Sequence, residues 1–350
     1  MSALLGTYIH HLSPFAIRFS ESFGLRWYGL AYVAAFVVAF FLLRWFVRLG
    51  ACELREDKVA DFITLCAFVG VMLGGRLGFM LLYNFDEFRS NPLSFFNFLG
   101  GGMASHGGIA GLILVTLFYS RWKKISWTGL GDNLVTVAPI GLFFGRLANF
   151  VNGELYGRET SHRLAMKFPE ELRESVTRDG IWSGWRYPEA MLVELAEKAK
   201  DIAPGLSERV SDAAAVAASK GLSAHQAIVT ELIETSRDNP AFRERLGEIL
   251  TLRHPSQLYQ ALCEGLLLFV VLLVIRLRWK NLYHGVLTGI FFIGYAVARI
   301  GIENLREPDA ERILGLTRGQ FYSTFMIGIG AAFLVWGIVR KRTNRLPTSG

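Results

Sequence analysis

Charge is scarce in this sequence. Asp, Glu, Lys and Arg make up 19% of its 350 residues, while hydrophobic residues make up 52%. So few charges leave little to cover a soluble surface, and the balance points away from a soluble protein. Cysteine is scarce too. Cys52, Cys66 and Cys263 show no CxxC or metal-ligand spacing, and His, Asp and Glu show none either, so no metal motif is read. Cys66 and Cys263 lie in apolar segments and read as small buried hydrophobes. A clear internal repeat is missing, as is a small-residue cleavage site after the first apolar run. That run is therefore expected to be retained as a span rather than removed as a signal peptide. The net charge of +7 does not read as a nucleic-acid footprint, because the basic residues sit in short clusters beside apolar spans.

Aromatic and aliphatic residues are plentiful: 27 Phe, 8 Trp and 11 Tyr suit a lipid-facing surface and its interfaces. A membrane helix needs roughly 20 mostly apolar residues. Segments near 25–43, 59–83, 106–119, 132–150, 258–275, 284–301 and 320–339 qualify or nearly do. The fold class is all-α: a polytopic membrane protein of about seven transmembrane helices with an inserted extramembrane helical domain. Lys and Arg set the orientation. Arg44, Arg48, Arg55 and Lys58 form one cluster, and Arg121, Lys123 and Lys124 another. Arg276, Arg278 and Lys280 follow the fifth span, and Arg340, Lys341 and Arg342 the seventh. All four lie on one side of an alternating path, expected to be the cytoplasm. The N-terminus, loop 84–105, segment 152–257 and loop 302–319 then face outward.

The predicted organisation is 1–160 for the first four spans, 161–250 for a mostly helical outer insertion, 251–342 for the last three spans, and 343–350 for a short cytoplasmic tail. In the insertion, Ser223 followed by Gln226 predicts a capping box, with Ala224, Ala227, Ile228 and Leu232 on one helix face. Asn239-Pro240 predicts a second helix start, with Phe242, Leu246, Ile249 and Leu250 on one stripe. Asp132 and Asn133 are read as the cap of the fourth span.

Charges inside spans cost several kcal/mol unless they pair, snorkel or line a polar cavity. Arg76, Arg146, Glu264 and Arg299 stand in such positions. For Arg76 and Glu264, snorkelling or a packing ion pair remains as good a reading as a functional one. Arg146 differs, because its surroundings, GRLANFVNGELYG at 145–157, also supply Asn149, Asn152, Glu154 and Gly157. Arg146 and Asn149 share a helix face, and a guanidinium fork matches phosphate oxygens. Arg299, Glu303 and Arg306 have spacing for an Arg–Glu–Arg ladder with positive charge to spare. The alternative is a self-satisfied structural triad. His106, within GGMASHGG at 101–108, falls at the same predicted face and can exchange a proton near neutral pH. Tyr28, and His254, Gln257 and Tyr259 of RHPSQLYQ at 253–260, can line the same cavity.

These pieces together resemble the bacterial prolipoprotein diacylglyceryl transferase family. The matching residues are RWYG at 26–29, GGRLG at 74–78, HGG at 106–108, the complete signature at 145–157, HPSQLY at 254–259, and Arg299, Glu303 and Arg306 followed by Pro308-Asp309. The resemblance covers about 1–168 and 250–340. It implies transfer of the sn-1,2-diacylglyceryl group from phosphatidylglycerol to the lipobox cysteine thiol of a prolipoprotein signal peptide. A thioether forms and glycerol-1-phosphate leaves, with no metal or organic cofactor. By resemblance His106 is the base, Arg146 and Arg299 hold phosphate, and Tyr28 joins them as a catalytic candidate. Arg76, Asn149, Asn152, Glu154, Gly157, His254, Gln257, Tyr259, Glu303 and Arg306 are the substrate-binding candidates. The implied place is the bacterial inner membrane, with the N-terminus and site toward the periplasm and the C-terminus in the cytoplasm. Membrane lipids are expected partners and nucleic acid is not. Two departures stand out: Gln260 where the family commonly has Glu, and the long stretch between the signature and HPSQLY. An anionic-lipid transporter or receptor, using the same arginines only to bind, is the competing reading. A phospholipid-handling transferase with a sugar or alcohol acceptor is a second, which the complete signature disfavours.

Overall fold

The computed structural model describes residues 7–20, 24–98, 101–178, 181–279, 281–307 and 313–343. Lys280, Pro308, Asp309 and the tail after Thr343 lie outside them. The longer helices are α1 Trp27–Arg48, α2 Glu56–Leu82, α3 Ser105–Lys123, α4 Trp127–Asn152, α5 Glu189–Lys198, α6 Leu206–Ser219, α7 Ala224–Asp238, α8 Pro240–Gly247, α9 Ser256–Arg278, α10 Val286–Glu303 and α11 Arg318–Arg340. Two small antiparallel hairpins, β1 Phe15–Arg18 with β2 Gly24–Arg26 and β3 Ser175–Arg178 with β4 Ile181–Trp185, complete the named elements.

Six of these helices, α1, α2, α4, α9, α10 and α11, are long and apolar enough to cross a membrane. At a rise of 1.5 Å per residue, α1 is about 33 Å long, the thickness of a bilayer's hydrocarbon core. The expected third span, 106–119, is also helical, as the 19-residue α3, but it is not among those six. It falls outside the six because His106 with its glycines dilutes one end and Arg121 with Lys123 the other. Bulky groups such as Phe41, Phe118 and Val339 stand exposed on these helices, as lipid-facing side chains of a polytopic protein do. The fold is that of an all-α polytopic membrane protein.

The chain divides into two compact units. One comprises 31–145, 260–301 and 310–350. Its core gathers Leu43, Phe46, Phe62, Tyr119 and Val137. Here α2 and α3 cross with backbones nearly touching. Gly70, Gly74 and Gly78 recur every fourth residue on one face of α2 and meet Gly107 and Gly111 of α3. Small residues at that spacing are how membrane helices approach closely. A Cβ on Gly111 would lie 3.0 Å from Gly74 Cα. The turns of α2 widen to π-helix over Cys66–Leu73, and those of α9 over Ala261–Leu267.

The cap expected of Asp132 is corrected. The fourth span starts earlier, at Trp127, where Ser126 Oγ accepts from Gly129 N at 3.2 Å. Asp132 therefore lies inside α4. Its carboxylate caps a different helix, α10, by accepting from Gly285 N and Thr288 N, each at 2.8 Å. Asn133 Oδ1 accepts from Arg276 at 2.6 Å. Cys66 is buried as expected, whereas Cys263 is only half-buried.

The other unit comprises the N-terminal residues to Leu30, Arg146–Tyr259 and the segment from Ile302 to Asp309. Helices α5 to α8 enclose a core that includes Leu172, Leu192, Leu206, Val210, Ile228, Leu232, Phe242 and Leu246. Ser223 Oγ caps α7 by accepting from Gln226 N at 3.3 Å. The Gln226 side chain does not close the box; its carbonyl accepts from Arg173 at 2.7 Å. Asn239 caps α8 through Phe242 N, with Pro240 at the first helical position, where its missing N–H is harmless.

Beside this helical core runs a ribbon of short extended pieces. His10 N donates to Lys167 O at 2.8 Å, and Lys167 N to Tyr8 O at 3.0 Å. Arg253 and Met166 exchange backbone bonds of 2.8 and 2.9 Å. Gly157 N donates to His254 O at 2.8 Å, His254 N to Arg158 O at 3.0 Å, and Arg158 N to Leu305 O at 3.0 Å. The order is thus 8–10, 166–167, 252–254, 157–160, 305–306.

Candidate active site

Tyr28, Arg146, Asn149, Asn152, Glu154, Gly157, His254, Gln257, Tyr259, Glu303 and Arg306 belong to the unit with the ribbon. Arg76, His106 and Arg299 belong to the other.

In the first set, helix α4 ends at Asn152 because Gly153 turns left-handed, at φ 72°. A side chain there would be strained. Leu155 is also left-handed, at φ 57°. The tight exit folds Glu154 back on the helix end, where Glu154 N donates to Asn149 O at 3.1 Å. Its carboxylate then collects donors. Tyr28 Oη donates to Glu154 Oε1 at 2.7 Å, and Asn149 Nδ2 donates to the same oxygen at 3.0 Å. Asn149 Nδ2 also donates to the Tyr28 hydroxyl. Gln257 Nε2 donates to Glu154 O at 2.7 Å. Four candidates from three distant stretches of sequence are therefore one hydrogen-bonded group. Gln257 is fully buried, and its Oε1 has no partner among the described residues. Arg146 lies one turn before Asn149 on α4, half-buried, and Asn152 is half-buried at the helix end.

Gly157 sits where two backbones converge. A Cβ there would meet Leu305 O, His254 Cβ at 2.8 Å and His254 O at 3.0 Å. Only glycine lets the ribbon close around this point. On either side are His254 and Arg306. The His254 ring lies 5.9 Å from Tyr259 and 6.0 Å from His162. Burial, helped by the His162 charge, pushes its imidazole below the usual histidine range. Its Nδ1 has no partner among the described residues. Glu303 and Arg306 are both buried, and Arg306 O accepts from Arg158 Nε at 2.8 Å.

In the second unit, Arg76 is buried and its donors are directed at loop carbonyls. Nε donates to Phe95 O at 3.0 Å, Nη2 to Ser94 O at 2.6 Å, and Nη1 to Gly102 O at 3.1 Å and to Gly101 O. Four of the five guanidinium protons are thus spent on the loop that leads into α3. His106 is exposed in the first turn of α3, next to the Gly107 contact. Arg299 Nη1 lies 3.6 Å from Oε1 of the fully buried Glu264. Between snorkelling and pairing, Glu264 takes the pair.

A family model described as prolipoprotein diacylglyceryl transferase matches residues 14–336. The chain belongs to this family. Relatives named phosphatidylglycerol–prolipoprotein diacylglyceryl transferase bear this out. That of Bdellovibrio bacteriovorus is 37% identical over 355 residues, covering 97% of this chain and 96% of its own. That of Idiomarina loihiensis is 34% identical, covering 93% and 91%. That of Ralstonia pickettii is 35% identical, covering 94% and 92%.

Several residues of this diacylglyceryl transferase family member that shape the candidate site escaped the sequence reading. Glu264 was visible as a carboxylate in an apolar run. Arg158, Glu171 and Glu174 were not, and Tyr156 and Arg253 stood inside the quoted motifs without being singled out. They look like ordinary loop residues, and nothing in their spacing announces that they meet.

Proposed function

We propose that this protein transfers the sn-1,2-diacylglyceryl group of phosphatidylglycerol to the lipobox cysteine thiol of prolipoproteins. The observation that carries the reading is family membership over residues 14–336. The thiol loses its proton to a base, and the thiolate sulfur attacks C3 of the glyceryl group. The C3–O bond to phosphorus breaks, and glycerol-1-phosphate leaves with the bonding electrons. A leaving phosphomonoester needs its developing charge stabilised, which fixed guanidinium groups supply. Arg146 and Arg299 take that role and His106 takes the thiol proton. Glu154, held by Tyr28, Asn149 and Gln257, orients the phosphatidylglycerol head group, and Gln257 Oε1 accepts from a substrate hydroxyl. Asn152, Gly157, His254, Tyr259, Glu303 and Arg306 line the substrate's path. Arg76 acts through the loop it holds.

The protein is a multi-pass membrane protein. We place it in the bacterial inner membrane, with the N-terminus and site facing the periplasm and the C-terminus in the cytoplasm. The four Lys and Arg clusters beside the spans support this orientation. Segment 161–250 is then a periplasmic insertion between the fourth and fifth spans. Family membership disfavours the lipid carrier reading.

The test incubates purified protein with phosphatidylglycerol labelled in its acyl chains and a lipobox peptide. Label should appear on the cysteine peptide and not on its Cys→Ser counterpart. Binding of the lipid without transfer, by protein shown to be folded, would sink the reading.

A further inference from the structure

Arg253 has the most demanding surroundings in the ribbon unit. Its side chain is 1% exposed, and that of Glu171, its closest partner in burial, is 0% exposed. Arg253 Nη2 donates to Glu171 Oε1 and to Glu174 Oε2, each at 3.0 Å. Nη1 donates to Glu307 Oε2 at 3.3 Å, and Nε to Thr251 Oγ1 at 3.0 Å. The guanidinium also lies over the Tyr156 ring, 5.2 Å from its centroid. The carboxylates are themselves held. Tyr187 Oη and Thr251 N donate to Glu171 at 3.0 and 3.2 Å, and Tyr156 Oη donates to Glu174 at 2.6 Å. Arg186 approaches both carboxylates at 3.3 Å. A guanidinium with this many fixed acceptors has one available orientation.

The origin of the groups matters. Glu171, Glu174, Arg186 and Tyr187 belong to the inserted segment, and Glu171 lies within the short turn Pro169–Arg173, whose Leu172 enters the helical core. Arg253 belongs to the linker that becomes HPSQLY, and Glu307 directly follows Arg306. The Arg253 backbone is bonded to Met166 on one side. Its neighbours His254 and Leu252 bond Gly157, Arg158 and Thr160 on the other. Those residues in turn bond Leu305 and Arg306. A buried ion cluster costs desolvation and is weak evidence for stability, whereas this one joins the inserted segment, the HPSQLY linker and the 305–307 stretch through fixed bonds.

We propose that Arg253, clamped by Glu171 and Glu174, is a positioning residue that lets the inserted segment fix Gly157, His254 and Arg306 in the register needed for transfer. The proposal rests on the diacylglyceryl transfer reading and gives the insertion a role in it. Arg253 touches no substrate in this scheme. It acts through the ribbon.

The test uses the full-length protein in lipid nanodiscs, with phosphatidylglycerol and a lipobox peptide. Three variants are compared with wild type: Glu171→Gln, Arg253→Lys, and Glu171→Leu combined with Arg253→Met. The combined change replaces the Glu171–Arg253 pair by apolar groups of similar size, a swap that is often neutral or stabilising, and it is the second test where a single variant fails to fold. Amide exchange at Gly157, Arg158 and His254 is followed beside turnover. Expected are amide exchange faster by about tenfold at these three positions, α7 core amides unchanged, and kcat per folded enzyme lower by about tenfold or more with KM for both substrates little altered. A purely structural role would lower the folded fraction and leave kcat per folded enzyme alone. Unchanged ribbon exchange, or unchanged kcat, in the folded double variant overturns the proposal. Absence of transfer by wild type fails the functional reading instead, and ribbon exchange still judges the clamp.

Discussion

At the scale of single residues, the group around Glu154 joins a fourth-span helix end to Tyr28 and Gln257. Tyr28→Phe deletes the hydroxyl that donates to Glu154 and accepts from Asn149, and Asn149 is only 6% exposed. Asn149 Nδ2 keeps its bond to Glu154 Oε1 and loses the one to Tyr28, and a lost hydrogen bond costs about 0.5–1.5 kcal/mol. The expected outcome is folded protein with kcat/KM for phosphatidylglycerol reduced about tenfold or more, checked by the transfer assay. Gly157→Ala makes a sharper case, since its Cβ would lie 2.8 Å from His254 Cβ. Neither backbone can retreat without opening the ribbon, so a stability loss of about 2 kcal/mol is expected in unfolding measurements, together with lost activity. Gly145→Ala in the same signature is its contrast, because beyond its own helix no atom of the described residues lies within 4 Å of the added Cβ. Its stability should stay within about 0.5 kcal/mol of wild type or rise slightly. Asn149, Glu154 and Gly157 were legible as candidates because they share one motif with Arg146. That Tyr28 and Gln257 bond Glu154 was not legible, because the bonds span more than a hundred residues of sequence.

At the scale of elements, the apolar runs gave away the helices, since a lipid-exposed helix must be apolar all along its length. The α2–α3 crossing was half visible. GGRLG and HGG stood out, yet the face Gly70–Gly74–Gly78 appears only once the helix is wound. Gly107→Val puts a branched side chain against Gly74 O and Gly78. The helices must separate, and the folded yield in membranes should fall steeply. A Gly107→Val protein with wild-type yield and melting would refute this packing argument. The ribbon was the least legible element. Its pieces are two to four residues long, too short for any periodicity, and each pairs with a distant one. Segment ends were misread for a related reason: Asp132 looked like a cap because the apolar run begins after it, but the helix starts earlier at Trp127 and Asp132 serves α10.

At the scale of the whole molecule, two properties follow from how burial and charge are distributed. His10 is 3% exposed, with rings of Phe150 and Phe168 within 5.6 Å. Burial, aided by the Arg237 and His11 charges and opposed by the bond to the Phe150 carbonyl, pushes its imidazole down to about 4 from 6.5. Above pH 6.5 it is neutral folded or unfolded and contributes no pH dependence. Between 6.5 and 4 only the unfolded chain takes up the proton, so stability falls as pH falls, by about 1.4 kcal/mol per unit from this group. Unfolding titrations of His10→Phe at pH 7 and 5 should be less steep than wild type by about that amount. Orientation gives the second expectation. A single cysteine placed at Ser223 should react with a membrane-impermeant thiol reagent added outside intact cells. On the proposed orientation, one placed at Lys123 should react only after the membrane is opened. Coupling of leaving-group release to transfer is read directly from the ratio of glycerol-1-phosphate released to thioether formed, with and without lipobox peptide. Coupled transfer releases one per thioether and none without peptide. Thioether-free consumption of phosphatidylglycerol, or lipid retained with neither product, would contradict it.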